Sequence, residues 1–148
     1  MANRSKAIGT NFESQCVRYL RQRLNDDGIE RRALHGNKDM GDIFGLRAHG
    51  HTGIVECKSV KQYGKADVDK WRCQTVTERE NAGVDFALLV VHKPGCGAAR
   101  FGDNHCYLQV RDLDMIQGYE RFVRDPDDPF MDTWLAMDLG TACDLMLR

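Results

Sequence analysis

The chain lacks a long apolar run and has only three prolines, and its six cysteines form no close pairs. No segment approaches the roughly 20 apolar residues needed to cross a bilayer, and the opening MANRSKAIGT is too polar for an export signal. Scattered cysteines in such a chain predict reduced thiols rather than a disulfide framework. These absences predict a soluble, cytoplasmic protein without membrane contact.

The length of 148 residues suits one domain, which we divide into a core of about residues 8–110 and a tail of about 111–148. The net charge of −1 hides an asymmetry, because residues 1–80 carry a net charge of +4 and residues 81–148 carry −5. A basic first half would suit a phosphate backbone. The alternative is ordinary solvated surface charge.

Hydrophobic periodicity predicts a mixed α/β fold with an α-β-β-β-α-β core. The core elements are a helix at 7–24, three antiparallel strands at 28–35, 41–48 and 52–60, a helix at 66–82 and a buried strand at 84–92. A loop at 93–104, a strand at 106–110 and a short helix from Asp112 follow. The tail is predicted to end in a helix that begins near Pro129 and is bent at Gly140.

The third predicted strand displays an acid and an amine side by side. Side chains alternate along a strand, so Glu56 and Lys58 point to one face and Val55 and Cys57 to the other. Asp42 opens the preceding strand, and a hairpin would bring it next to Glu56. Two carboxylates and one lysine would then converge.

This set of groups suits metal-dependent hydrolysis of a phosphodiester. Carboxylate oxygens of Asp42 and Glu56, with the main-chain carbonyl of Cys57, are ligands that Mg²⁺ or Mn²⁺ prefers. A bound metal lowers the pKa of its water, and Lys58 would position that water or stabilise the developing anion. The alternative is an exposed cross-strand ion pair worth under about 1 kcal/mol.

These residues resemble the motif of the PD-(D/E)XK nuclease superfamily, and in particular the archaeal-type Holliday junction resolvases and their phage relatives. The resemblance covers residues 8–93. The segments that match are Gly9-Thr10-Asn11-Phe12-Glu13 on the first helix, Gly41-Asp42-Ile43 at the start of a strand, and Val55-Glu56-Cys57-Lys58 at the end of the next. Glycine replaces the proline that often precedes the aspartate in the family.

The resemblance implies a restriction-endonuclease-like sheet flanked by helices and a Mg²⁺-dependent nuclease of a bacterial, archaeal or phage-infected cell. The implied catalytic residues are Glu13, Asp42, Glu56 and Lys58. Asp39 and Gln74 are further candidates for the site, although a loop carboxylate such as Asp39 is more often solvated. Basic residues before, between and after the acidic ones would line a DNA groove: Arg31, Arg32, His35, Lys38, Lys61, Lys65, Lys70 and Arg72.

The leading hypothesis is a homodimeric endonuclease that resolves four-way DNA junctions by paired nicks, since a two-fold dimer matches the symmetry of the junction. The tail helix or the apolar strand at 88–91 would supply the dimer interface. A repair or restriction-type nuclease acting on duplex or flap DNA is the alternative within the same chemistry. A catalytically idle DNA-binding module on the same scaffold is the alternative from another class.

Overall fold

The computed structural model describes residues 2–33, 38–119 and 125–148. Its helices and strands run in the order α1 (Ala2–Leu24), β1 (Glu30–Arg31), β2 (Ile43–Ala48), β3 (His51–Lys58), α2 (Lys65–Ala82), β4 (Phe86–Val91), β5 (His105–Gln109), α3 (Val110–Ile116), β6 (Trp134–Asp138) and α4 (Leu139–Leu147). Short 3₁₀ helices occupy Ala98–Asp103 and Pro129–Asp132. No helix among the described residues is long and apolar enough to span a membrane.

One six-stranded mixed sheet holds the strands in the order β1-β2-β3-β4-β5-β6. The pair β3 and β4 is parallel, as a crossover through α2 requires, and all other neighbours are antiparallel. This arrangement confirms a mixed α/β fold and the three antiparallel strands expected at its start.

The two faces of the sheet are covered by different helices. On one face, Cys57 packs into a hydrophobic core with Cys16 of α1 and Cys143 of α4. On the other face, Glu56 lies against Glu78 of α2. The predicted alternation along β3 therefore separates a dry apolar face from a face that carries the ionisable groups.

A bulge in β2 determines which way its side chains point. Ile43 pairs with Val55 but Leu46 pairs with Gly53, so β2 carries one extra residue between these pairs. Gly45 lies within the bulge with φ at +89°, and a Cβ there would lie only 2.4 Å from the Gly28 carbonyl oxygen. The shift lets Ile43 and Leu46 both reach the core, although they are three residues apart.

A buried ion pair connects α2 to α3 and to strands β4 and β5. Asp112 is 1% exposed, and its carboxylate accepts hydrogen bonds from Arg79 Nη1 at 2.8 Å, from the Ala87 main-chain N–H at 3.1 Å and from the Gln109 main-chain N–H at 2.8 Å. Every oxygen of the carboxylate is thereby satisfied, which a buried charge needs.

The tail differs from the expectation of a helix from Pro129 onward, and this prediction is wrong. Residues 134–138 form strand β6 on the edge of the sheet beside β5, and this strand separates a 3₁₀ turn at Pro129–Asp132 from the helix at Leu139–Leu147. Leu135 and Met137 pack on the core at every second residue, a strand period that the helical interpretation overlooked. Gly140 lies inside α4, whose N-cap Asp138 accepts a hydrogen bond from the Thr141 N–H at 2.7 Å.

One of the two expected dimer interfaces, the strand at 88–91, does not lie on the surface. Strand β4 lies between β3 and β5, and Leu88, Leu89, Val90 and Val91 are each 0% exposed. The near-continuous apolarity of this strand reflects burial on both of its faces. The first strand is shorter than expected, because within 28–33 only Glu30 and Arg31 pair with β2.

Candidate active site

The hairpin of β2 and β3 places Asp42 beside the end of β3. The Asp42 main-chain N–H donates to the Val55 carbonyl at 3.0 Å, and its carboxylate accepts from the Cys57 N–H at 2.9 Å. Because the N–H and C=O of one strand residue point to the same side, the Cys57 carbonyl also faces Asp42. The Asp42 carboxylate is thus held on the side of β3 to which the Cys57 carbonyl points, so that both oxygens are available to one cation.

Glu56 and Lys58 lie on the same face of β3, as the alternation predicts. Lys58 Nζ is 3.0 Å from Glu56 Oε1. The ion pair of the alternative interpretation is therefore present, but its acid is buried, since Glu56 is 3% exposed. Its second oxygen, Oε2, is buried and has no hydrogen-bond partner among the described residues.

Glu78 of α2 is a member of this cluster that the sequence interpretation missed. It is 1% exposed, and its carboxylate lies against those of Glu56 and Asp39, with ligand oxygens of the three residues within 4.8 Å of one another. Val68 and Thr75 lie on the same buried face of α2. The position of Glu78 at helical spacing from these residues was the sequence feature that could have indicated its burial. Gln74, the residue of α2 considered from the sequence, is only half-buried.

Crowding and burial change the acidity of the cluster. Burial and the charge of Glu56 raise the pKa of Asp42 to about 8. Burial and the neighbouring Glu78 carboxyl raise the pKa of Glu56 to about 8, and burial, with the charge of Asp39 adding to it, raises the pKa of Glu78 to about 7. Carboxyl groups held so close together favour protonation unless a cation neutralises them.

Lys58 stays charged within this cluster. Desolvation of its half-buried amine lowers the pKa, but the charges of Glu56 and Asp42 outweigh that effect and the pKa is raised. The ammonium therefore offers its protons to an anion that approaches the carboxylates.

Glu13 of α1 lies within electrostatic reach of Asp42. Its carboxylate accepts a hydrogen bond from Arg31 Nε at 2.8 Å, and its charge contributes to the raised pKa of Asp42. Glu13 thus lies near the cluster, and Arg31 is engaged with it.

The other predicted DNA-binding residues differ in their exposure and their contacts. Lys38, Lys61, Lys65 and Lys70 are exposed, and Lys65 pairs with Asp69 at 2.8 Å. The Arg32 guanidinium lies over the Phe44 ring at 4.8 Å, and that of Arg72 lies over Tyr107 at 4.9 Å and Trp134 at 5.5 Å. His35 lies outside the described residues.

The raised pKa values predict that the free energy of unfolding falls as the pH rises. Unfolded carboxyl groups lose their proton near pH 4, whereas Asp42, Glu56 and Glu78 keep theirs in the folded chain up to about pH 7 or 8. Between these values the folded state binds more protons than the unfolded state, so each unit of rising pH costs stability. Urea unfolding in EDTA is expected to show a midpoint that decreases steadily from about pH 5 to about pH 8.

A variant that lacks one of these carboxyl groups shows how much of the pH dependence of stability comes from the cluster. Glu78→Gln removes a buried acid without changing the shape of the side chain, so we expect a shallower decrease and a higher midpoint at the alkaline end. Glu80→Gln, on the exposed side of the same helix, should leave the slope as in the wild type. A wild-type midpoint that is constant or rises over this range would contradict the prediction.

Comparisons of the chain with models of known families, with curated proteins and with solved structures find no match. The resemblance to the PD-(D/E)XK superfamily therefore rests on the motif residues, Asp42, Glu56 and Lys58 among them.

Proposed function

We propose that this chain is a metal-dependent endonuclease that cleaves branched DNA, with four-way junctions as its preferred substrate. The observation that carries the proposal is the convergence of Asp42 and Glu56 from neighbouring strands beside the Lys58 amine, which lies 3.0 Å from Glu56. A scaffold without chemistry has no physical need to hold two carboxylates together next to a lysine. The idle DNA-binding module is therefore the weaker alternative.

The residues present fit a hard divalent cation such as Mg²⁺ or Mn²⁺. The buried Oε2 of Glu56 has no hydrogen-bond partner in the described part of the chain, and a cation would satisfy it. Asp42 and the main-chain carbonyl of Cys57 would complete the protein ligands. A bound cation of this type acidifies a water and neutralises charge on a phosphate.

The side chains of this chain would orient the reaction. Lys58 would hold the attacking water or the phosphate oxygen on which negative charge grows. Water adds to phosphorus and one P–O bond breaks, leaving a phosphate on one new end of the strand and a hydroxyl on the other. The exposed Lys38, Lys61, Lys65 and Lys70 would contact the flanking backbone without reading its sequence.

A homodimer would complete the proposed activity. Two copies related by a two-fold axis would place one Asp42, Glu56 and Lys58 cluster at each of two opposed strands of a junction. Paired nicks of that kind release two linear duplexes.

Incubation with synthetic DNA of three shapes tests the proposal. The purified chain, given a four-way junction, a flap and a linear duplex of shared sequence, is expected to nick the junction fastest with Mg²⁺ and to nick none of them with EDTA. Equal rates on the three substrates would favour a repair or restriction-type nuclease. Binding to DNA without any cleavage in Mg²⁺ or Mn²⁺ would favour the idle module.

A further inference from the structure

The fold buries the Glu78 carboxyl group beside the carboxyl groups of Asp39 and Glu56. Glu78 is 1% exposed, and neither its Oε1 nor its Oε2 has a hydrogen-bond partner among the described residues. An ionised carboxylate in such a position costs several kcal/mol unless something compensates it. The proposed Asp42, Glu56 and Lys58 centre does not use this side chain.

Two further carboxylates point at the same space. Glu56 contributes its unpartnered Oε2, and Asp39 contributes an oxygen, so ligand atoms of Asp39, Glu56 and Glu78 all lie within 4.8 Å of one another. Oxygens that share one divalent ion lie about 3 to 5 Å apart, given ion–oxygen distances of about 2.0 to 2.6 Å. The spacing of the three side chains therefore matches a common cation.

The loop that carries Asp39 is held against α2. Asn81 Nδ2 donates to the Asp39 main-chain carbonyl at 2.9 Å, and the Gly41 N–H donates to Asp39 Oδ1 at 3.1 Å. Asp39 is the exposed member of the three, so the cluster opens to solvent on its side. A hydrated ion would enter there and keep part of its water, as Mg²⁺ and Mn²⁺ do.

We propose that Asp39, Glu56 and Glu78 form a second divalent-cation position next to the Asp42 and Glu56 centre, with the Glu56 carboxylate shared between the two. The inference deepens the proposed function and rests on it only for the catalytic role of the first centre. The second cation would fix α2 against β3 and reduce the negative charge that a DNA phosphate meets.

Titration with Mn²⁺ tests this position directly, with free Mn²⁺ followed by electron paramagnetic resonance. The wild type is expected to bind two ions per chain, and Glu78→Gln to bind one. Glu80→Gln, on the exposed side of the same helix, should keep two. Asp42→Asn should lose the ion of the first centre and keep the second.

Circular dichroism of each variant establishes whether it is folded. If Glu78→Gln fails to fold, Asp39→Asn takes its place, because the exposed Asp39 is not part of the core; affinity for one of the two ions should then fall about tenfold or more. A wild type that binds a single ion, unchanged in affinity by Glu78→Gln or Asp39→Asn, would overturn the second position.

The two proposals fail in different ways. If the chain binds two Mn²⁺ ions but cleaves no DNA, the second cation position is supported and the nuclease proposal is contradicted. A chain that cleaves DNA with one bound ion, at a rate that Glu78→Gln leaves unchanged, would retain the nuclease and lose the second position.

Discussion

Replacing Lys58 with alanine, or Asp42 with asparagine, is expected to reduce junction cleavage by about 10²- to 10³-fold or more, because each removes a group that acts on charge developing in the transition state. The amide oxygen of the asparagine would still accept the hydrogen bond from the Cys57 N–H, so Asp42→Asn should preserve the hairpin. Binding of the junction, measured by gel shift in Mg²⁺, should change little in either variant.

Arg47→Ala provides the matched control. Arg47 is an exposed cation of β2 at the opposite end of the strand from Asp42, paired with Thr52 near the hairpin turn. Its loss should leave both cleavage and binding close to the wild-type values. If Lys58→Ala and Arg47→Ala had equal cleavage rates, Lys58 would have no catalytic role.

The largest effect on stability is expected from Asp112→Ala. This substitution leaves Arg79 without its buried carboxylate and leaves the main-chain N–H groups of Ala87 and Gln109 without the acceptor that they now have. Breaking a buried ion pair from one side costs about 3 to 5 kcal/mol. The free energy of unfolding in urea should fall by that amount, which is a large part of the stability of a domain of this size.

Asp103→Ala tests whether burial is the reason. Asp103 pairs with Arg100 at 2.8 Å, but both side chains are substantially exposed, at 42% and 70%. Loss of an exposed pair changes stability by less than about 1 kcal/mol. If both variants lost the same free energy of unfolding, burial would not explain the effect of Asp112→Ala.

The strands β2 and β3 were predictable because the sequence features that specify them are local. Glycines separate short apolar segments around β2 and β3, and alternation alone placed Glu56 and Lys58 on one face. Strand β6 was not predictable in the same way. Its apolar residues 134, 135 and 137 also fit a helix after Pro129, and only the free edge of β5 decides for a strand.

The candidate site was predictable to the extent that it lies on one hairpin. Asp42 and Glu56 are adjacent because β2 and β3 pair through a two-residue turn, which is a short-range property of the sequence. Glu78 joins them only through the crossover that docks α2 on the sheet. A single charged residue on a buried helix face gives no indication of which group it will meet.

The left-handed backbone at Gly41 limits how this site can vary in evolution. Its φ of +89° is open to glycine but closed to proline, whose ring holds φ near −65°. A side chain there would also meet Ile54, with a Cβ at 3.0 Å from its Cδ1. Related chains that keep this turn are therefore expected to keep Gly41. A glycine before the aspartate is then a better criterion for finding them than a proline–aspartate pair.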